Sequence, residues 1–139
     1  MRQKEQRLWD TFRRHLKEAP TPLWHQRVEN TAMSGMPDVV VHTTRGNIRW
    51  IELKAPNLPK RPTTPVLGDE GLNIAQRNWH LKAASMNVRS YILVRVGDVP
   101  YLVPGMYAAE INDWPRSEYE RRLSGVAVGW KEVCEALSG

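Results

Sequence analysis

The sequence predicts an α/β fold in which a small mixed β-sheet is flanked by helices. Residues 39–41 and 48–53 are two short apolar runs, and the polar residues 43–47 between them predict a β-hairpin. Residues 72–86 have a helical pattern and separate this hairpin from a third apolar run at 89–96. A helix between two strands is typical of a crossover between parallel strands, so both parallel and antiparallel pairs are expected.

The N-terminal segment, residues 3–18, is predicted to be an amphipathic helix. Leu8, Phe12 and Leu16 recur at intervals of four residues and form one apolar stripe, with charged residues elsewhere. Pro20 follows and ends the helix. This helix is therefore expected to pack its stripe against the sheet.

The other elements follow from shorter patterns. Residues 23–29 are predicted to form the first strand, and the continuous apolar run at 89–96 is typical of a strand buried on both faces. Beyond it we expect a short strand at 100–104, a short helix at 105–112 and a last amphipathic helix at 129–137. The sequence therefore predicts flanking helices at both ends of the chain.

One domain, residues 1–139, is expected from the length, the 41% hydrophobic content and the lack of an internal repeat. Lys and Arg number 20 against 15 acidic residues, and the net charge of +5 favours a polyanionic partner without requiring one. No apolar run approaches the roughly 18 residues that span a bilayer, and the charged residues 1–14 lack the apolar region of a signal peptide. A soluble, cytoplasmic protein without a membrane partner is expected.

Cysteine usage excludes two classes of small protein. Cys134 is the only cysteine in the sequence, so an internal disulfide is impossible. No cluster of His and Cys has the spacing of a zinc finger, so structural zinc is not expected.

Two carboxylates and a lysine are predicted to meet at one end of the hairpin. Side chains alternate faces along a strand, so Glu52 and Lys54 share one face. Asp38 follows the turn-prone Gly35-Met36-Pro37 and begins the neighbouring antiparallel strand, which places it beside the end of the Glu52 strand. Two hard oxygen ligands favour Mg²⁺. The alternative on spacing alone is a surface hairpin with a solvated ion pair between Glu52 and Lys54.

This constellation suits phosphodiester hydrolysis. A divalent ion lowers the pKa of bound water and neutralises charge that develops on the phosphate. Lys54 would then position or deprotonate that water. The pattern therefore indicates a metal-dependent nuclease site.

Three motifs carry a resemblance to a known family: Gly35-Met36-Pro37-Asp38, Glu52-Leu53-Lys54 and Gln76-Arg77-Asn78-Trp79-His80. In this order they resemble the PD-(D/E)XK nuclease superfamily and, within it, the VRR-NUC (virus-type replication-repair nuclease) family, which has a glutamine-x3-histidine helix motif. The resemblance covers about residues 3–96 and implies a restriction-endonuclease-like core. Residues 97–139 are expected to be a C-terminal extension of unknown role.

The resemblance implies DNA cleavage that depends on Mg²⁺ or Mn²⁺. Asp38, Glu52 and the main-chain carbonyl of Leu53 would hold the ion, and Lys54 would orient and activate the attacking water. Gln76 would support the phosphate or the water. These residues form the core of the expected site.

A helix-borne glutamate is also implied by the resemblance, and Glu5 lies where it would fall. Glu29, at the end of the first strand, is the rival candidate. Each residue also has an explanation outside the active site. In that explanation Glu5 only interacts favourably with the dipole of its helix as a first-turn acid, and Glu29 is an ordinary exposed acid. The sequence leaves the choice open.

The candidates for DNA contacts lie in the Pro-rich segment 55–71, on the 72–86 helix or before the Asp38 turn: Lys60, Arg61, Arg77, His80, Asn30 and Ser34. Long structureless segments in compact domains are usually functional or disordered, so we interpret 55–71 as a DNA-contacting flap, with a passive linker as the alternative. His80 either contacts DNA or ties its helix to the sheet. Asn30 and Ser34 either contact phosphate or satisfy the local backbone.

The expected function is a structure-selective DNA endonuclease of phage or bacteria, with the four-way (Holliday) junction as leading substrate. The alternatives are a DNA end-processing or host-DNA-degrading nuclease, a non-catalytic nucleic-acid-binding module, and an accessory subunit of a replication or packaging assembly. Resolving a four-way junction needs two symmetric cuts, so a homodimer is expected. Its interface is predicted at Trp114, Tyr119 and Trp130, with coverage of the sheet as the alternative.

Overall fold

The computed structural model describes residues 3–28, 35–123 and 128–139, and its centre is a five-stranded sheet. In chain order the strands are β1 (Leu23–Arg27), β2 (Val39–Thr43), β3 (Ile48–Lys54), β4 (Ser90–Val96) and β5 (Val99–Pro104). The helices are α1 (Gln3–Glu18), α2 (Ile74–Ser85), α3 (Arg116–Leu123) and α4 (Trp130–Ser138). Every predicted strand and long helix therefore has a counterpart.

The sheet is mixed, as the sequence predicts. Its strand order is β1-β2-β3-β4-β5, and only the pairing of β3 with β4 is parallel. The chain leaves β3 at Lys54 and returns to β4 at Ser90 through α2, as a parallel pair requires. In the β2–β3 hairpin the Thr43 hydroxyl accepts hydrogen bonds from the N–H groups of Arg45 and Asn47, which fixes the turn.

Helices α1 and α4 cover one face of the sheet. The apolar stripe of α1 packs there, and α4 adds Val133 and Leu137. The buried residues of this face also come from all five strands: Leu23, Val39, Val41, Ile51, Leu53, Leu93 and Leu102. The prediction that residues 3–18 bury one stripe is confirmed.

The opposite face is covered over β4 and β5 by irregular segments and by α3. Val66 and Leu67, at the end of the predicted flap, are buried there. Trp114 and Tyr119 are also fully covered. The predicted interface role of these two aromatic residues is therefore wrong, because they fill a core under the C-terminal segment of their own chain.

Residues 105–112 and the two ends of α2 differ most from the prediction. Residues 105–112 contain two short 3-10 turns, Gly105–Tyr107 and Ile111–Asp113, instead of one helix. Helix α2 is preceded by Asn73, whose side chain accepts from the Gln76 N–H, so it begins two residues later than predicted. Met86, the last residue of the predicted helix, follows the last turn of α2 and is exposed. None of the helices in the described ranges is long and apolar enough to cross a bilayer.

Candidate active site

Asp38 lies where the β2–β3 pairing ends. Its N–H donates to the Ile51 carbonyl over 3.1 Å, and its carboxylate Oδ2 accepts from the Leu53 N–H over 2.9 Å. The N–H and C=O of one residue point to the same side of a strand. The Leu53 carbonyl is therefore directed to the same edge as the Asp38 carboxylate.

Glu52 is buried beside Asp38, with 2% of its surface exposed. Burial, followed by the charge of Asp38 and the hydrogen bond with it, raises the pKa of Glu52 well above its usual value, and Lys54 offsets only part of this. The carboxyl groups of Asp38 and Glu52 therefore lie together where water solvates them poorly.

Lys54 lies on the same face as Glu52, as the strand alternation predicts, and is 8% exposed. Its Nζ donates to Gln76 Oε1 over 3.3 Å, while Gln76 Nε2 donates to Glu52 Oε2 over 3.2 Å. Gln76 Oε1 also accepts from the Asn73 N–H as part of a capping box. The amide therefore joins the start of α2 to the lysine and the glutamate together.

The turn before Asp38 is packed against the start of α2. Gly35 has a φ of +85°, and a Cβ at this position would lie 2.3 Å from the Ala75 carbonyl oxygen. Only glycine allows both the left-handed backbone and this close approach. The contact brings Asp38 and Gln76 to one site from separate elements.

The donor set fits Mg²⁺ or Mn²⁺. Two carboxylates and a carbonyl directed to one edge are hard oxygen ligands. Glu52 Oε1 is buried and has no hydrogen-bond partner within the described residues. The like charges of Glu52 and Asp38 are also a repulsion that a cation would relieve.

Asp38 and Glu52 are the two described side chains of this site that could ligate the cation. Among residues 3–28, 35–123 and 128–139, no three His, Cys, Asp or Glu side chains form a group that could hold a metal. The charge of Glu5, at the start of α1, makes the smallest of the contributions that raise the pKa of Glu52. Glu29 lies outside the described residues, as do Asn30 and Ser34.

Comparisons with known proteins bear on the fold. No protein-family description and no curated protein matches the sequence. Among solved structures, the chain is similar to Hjc, a Holliday junction resolvase from the archaeal hyperthermophile Archaeoglobus fulgidus. The TM-score is 0.57, and the match covers 96% of this chain and 97% of Hjc at 17% identity.

The fold is restriction-endonuclease-like. This confirms the predicted fold class. The match with Hjc extends well past residue 96, where the sequence resemblance ends, because β5 belongs to the sheet and the C-terminal helices pack on it.

His80 is fully buried, which excludes the predicted DNA contact for this residue. Its Nδ1 lies 2.8 Å from Ser90 Oγ on β4, and its Nε2 lies 3.9 Å from Glu52 Oε1. Burial lowers the pKa of His80 to about 4, so the ring is neutral near pH 7. The alternative expectation, that His80 ties α2 to the sheet, agrees with these contacts.

The basic candidates for DNA contact lie at the surface. Lys60 and Arg61 are exposed in the segment that follows Lys54. Arg77 is half-buried, and its Nε has no hydrogen-bond partner in the described part of the chain. Lys60 and Arg61 are therefore free to meet a phosphate from solvent, whereas the Nε of Arg77 is buried.

Three residues of this site were not predicted to belong to it. Asn73 and Ser90 are separated from Glu52 by 21 and 38 positions, so no local pattern relates them to it. Gly105 packs against both Ser90 and His80. Asn73 alone had a sequence signal, since Asn followed three residues later by Gln is a capping-box pattern.

Proposed function

We propose that this protein is a metal-dependent DNA endonuclease that hydrolyses phosphodiester bonds at branched DNA, with the four-way junction as its leading substrate. The observation that carries the proposal is the convergence of Asp38, Glu52, Lys54 and Gln76 at one edge of the sheet. The similarity of fold to a Holliday junction resolvase along nearly the whole chain supports it. The VRR-NUC resemblance and a place in a phage or bacterial cytoplasm belong to the same proposal.

Asp38, Glu52 and the main-chain carbonyl of Leu53 would hold Mg²⁺ or Mn²⁺. The bound ion would supply a lowered pKa for a coordinated water and positive charge against the developing phosphate charge. The Leu53 N–H holds the Asp38 carboxylate at the strand end, so that the ligand does not depend on solvent for its orientation. The chain thus provides a prepared set of oxygen donors.

Lys54 would orient the attacking water and donate hydrogen bonds to it. The Gln76 amide oxygen holds its ammonium group in place, and the same amide holds Glu52. Both side chains are therefore positioned before DNA arrives, which avoids an ordering cost in the reaction. Glu5 or Glu29 would complete the acidic set, and Arg77, Lys60 and Arg61 would contact phosphates.

The chemistry is tested by four variants on linear, nicked, flapped and four-way DNA with Mg²⁺ or Mn²⁺. Asp38→Asn and Glu52→Gln are expected to abolish cleavage with the fold intact. Lys54→Ala is expected to cut the rate by about 10²- to 10⁴-fold, the usual share of a positioned acid or base, while Mn²⁺ still binds. Glu120→Gln, an exposed acid on α3, is the control and should cleave normally.

The outcomes separate the alternatives. Normal cleavage by folded Glu52→Gln protein would overturn the site assignment. Cleavage of linear ends in preference to junctions would favour an end-processing or DNA-degrading nuclease. Salt-sensitive DNA binding without cleavage under any metal condition would favour a non-catalytic binding module.

A further inference from the structure

Two residues of α2, one helical turn apart, face the carboxylate of Glu52. Gln76 Nε2 donates to Oε2 over 3.2 Å, and His80 Nε2 lies 3.9 Å from Oε1. Both Oε1 and Nε2 are buried and lack a hydrogen-bond partner within the described residues. Two unsatisfied buried polar atoms therefore face each other, and both would gain from a hydrogen bond between them.

The protonation of the His80 ring decides whether that bond can form. An ionised Glu52 is only an acceptor, so the hydrogen bond requires a proton on His80 Nε2. In the neutral ring Nδ1 is then the acceptor, and Ser90 Oγ, 2.8 Å away, is able to donate to it. A chain of two hydrogen bonds would run from Ser90 through His80 to Glu52.

Gly105 makes the pairing of Ser90 with His80 possible. A Cβ at this position would lie 2.2 Å from Ser90 Oγ and 3.1 Å from His80 Nδ1. The first distance is a clash that no side chain could accept without displacing the hydroxyl. Glycine at position 105 therefore leaves the space that the contact between Ser90 and His80 requires.

We propose that His80 is a positioning residue that holds Glu52 through Nε2–H, and that Ser90 keeps the ring in that tautomer. The inference rests on the proposed function, because an ionised Glu52 is required once it ligates a cation. The present 3.9 Å exceeds a hydrogen bond by about 1 Å. Active-site hydrogen bonds are often long before the ligand is bound, and they shorten in the complex.

A merely structural role makes the opposite prediction for a pair of variants. The amide nitrogen of Asn overlays Nδ1 of histidine, whereas that of Gln overlays Nε2. His80→Asn therefore keeps the contact with Ser90 and loses the one with Glu52, and His80→Gln does the reverse. If His80 only tied α2 to β4, Asn would be the tolerated substitution.

The test is the Mn²⁺ affinity of the full chain, measured by titration calorimetry without DNA. His80→Asn is expected to weaken Mn²⁺ binding by about 10- to 100-fold, the usual effect of losing a residue that orients a metal ligand. His80→Gln is expected to stay within about threefold of the wild type, and Ser90→Ala to lose about 2- to 10-fold, the worth of one hydrogen bond. Ser85→Ala is the matched control, since the Ser85 hydroxyl donates to the Lys82 carbonyl within α2.

A second measurement reports the tautomer directly. Nitrogen-15 chemical shifts of the His80 ring in Mg²⁺-loaded protein are expected to identify the Nε2–H form in the wild type and a mixture in Ser90→Ala. An Nδ1–H ring in the wild type would overturn the inference even if the His80 variants fail to fold. Equal Mn²⁺ affinity of the wild type and His80→Asn would also overturn it.

Failure of the proposed function gives a different result. A wild-type chain that binds no Mn²⁺ and cleaves no DNA would remove the metal site, and the role of His80 with it. A wild-type chain that binds Mn²⁺ while His80→Asn binds it equally well would remove only the positioning role.

Discussion

At the scale of single residues, the site joins groups that would be unfavourable in an ordinary core. Glu52 is buried against Asp38, and a buried carboxyl group next to a second one is costly unless it is protonated or paired with a cation. The hydrogen bonds from Gln76 and Leu53 satisfy one oxygen of each carboxylate. A functional site often retains interactions of this kind that lower the stability of the folded protein.

Glu52 should therefore make the metal-free protein less stable as the pH rises. Its folded pKa is raised, so above its usual value of 4.5 the unfolded chain loses a proton that the folded chain keeps. Stability then falls with pH by at most about 1.4 kcal/mol per unit. Glu52→Gln lacks this titration, and we expect its stability advantage over the wild type to grow between about pH 5 and about pH 7.

Urea unfolding with EDTA measures this difference. Glu120→Gln, an exposed acid, should follow the wild type in parallel at both pH values. Parallel behaviour of Glu52→Gln as well would mean that the buried carboxyl group has an ordinary pKa.

At the scale of elements, the site depends on how the turn before β2 is packed against α2. Asp38 lies in the turn just before β2, Glu52 and Lys54 lie in β3, and Gln76 lies in α2. The close contact between Gly35 and the Ala75 carbonyl fixes the distance between the first and last of these elements. A change in that contact should therefore disturb the chemistry without touching a candidate ligand.

Gly35→Ala and Gly46→Ala form a matched pair for this contact. Both glycines have a left-handed backbone, with φ of +85° and +79°, but a Cβ at Gly46 would meet nothing within 4 Å. Gly46→Ala should cost only the backbone strain of about 1–2 kcal/mol and leave cleavage intact. Gly35→Ala adds a clash with backbone and should lose more stability and most activity. Thermal unfolding and cleavage rates check this, and equal effects of the two variants would refute the packing argument.

The segment that follows β3 is the second element with a testable role. Replacing Lys60 and Arg61 with Ala should flatten the salt dependence of binding to uncleavable DNA, since each neutralised phosphate contributes about −0.9 to the slope of log K against log salt. Arg13 and Arg14 on the C-terminal half of α1 provide a double-alanine control. An unchanged slope after the Lys60 and Arg61 replacements would favour the passive-linker alternative.

At the scale of the whole molecule, the sheet face that carries Glu52 exposes large apolar side chains on β1 and β3. Trp24 on β1 is 62% exposed and contacts His42, and Ile48 on β3 is also exposed. Trp50 on the same face contacts Trp79 of α2, beside a groove that ends at Met86 and Val88. These side chains replace Trp114 and Tyr119 as the expected dimer interface, because aromatic and methionine residues are enriched at interfaces.

We therefore expect a homodimer that linearises a cruciform plasmid by paired cuts before free nicked circles accumulate. Met86→Lys should shift sedimentation towards the monomer and make nicked circles the first product. Met106→Lys is the control, since Met106 is equally exposed, at 63%, and lies outside this surface. A wild-type monomer that nicks first would remove the resolvase proposal and leave the general nuclease proposal standing.

Much of this architecture is determined by local pattern in the sequence. The alternation along β3 places Glu52 and Lys54 on one face, and the helix between two apolar runs predicts the parallel pairing of β3 with β4. The four-residue spacing from Gln76 to His80 places both side chains on one side of α2. These features follow from the geometry of one strand or one helix, which a short window of sequence contains.

The tertiary structure alone decided what each of these side chains meets. The sequence left open whether His80 contacts DNA or ties α2 to the sheet, and the packing of α2 turns it inward to Ser90 and Glu52. Trp114 and Tyr119 look available for a partner, but the sheet needs cover and their own chain provides it. Burial and close contact depend on groups far apart in the chain, so single-sequence patterns determine which face a residue occupies, and packing determines its partner.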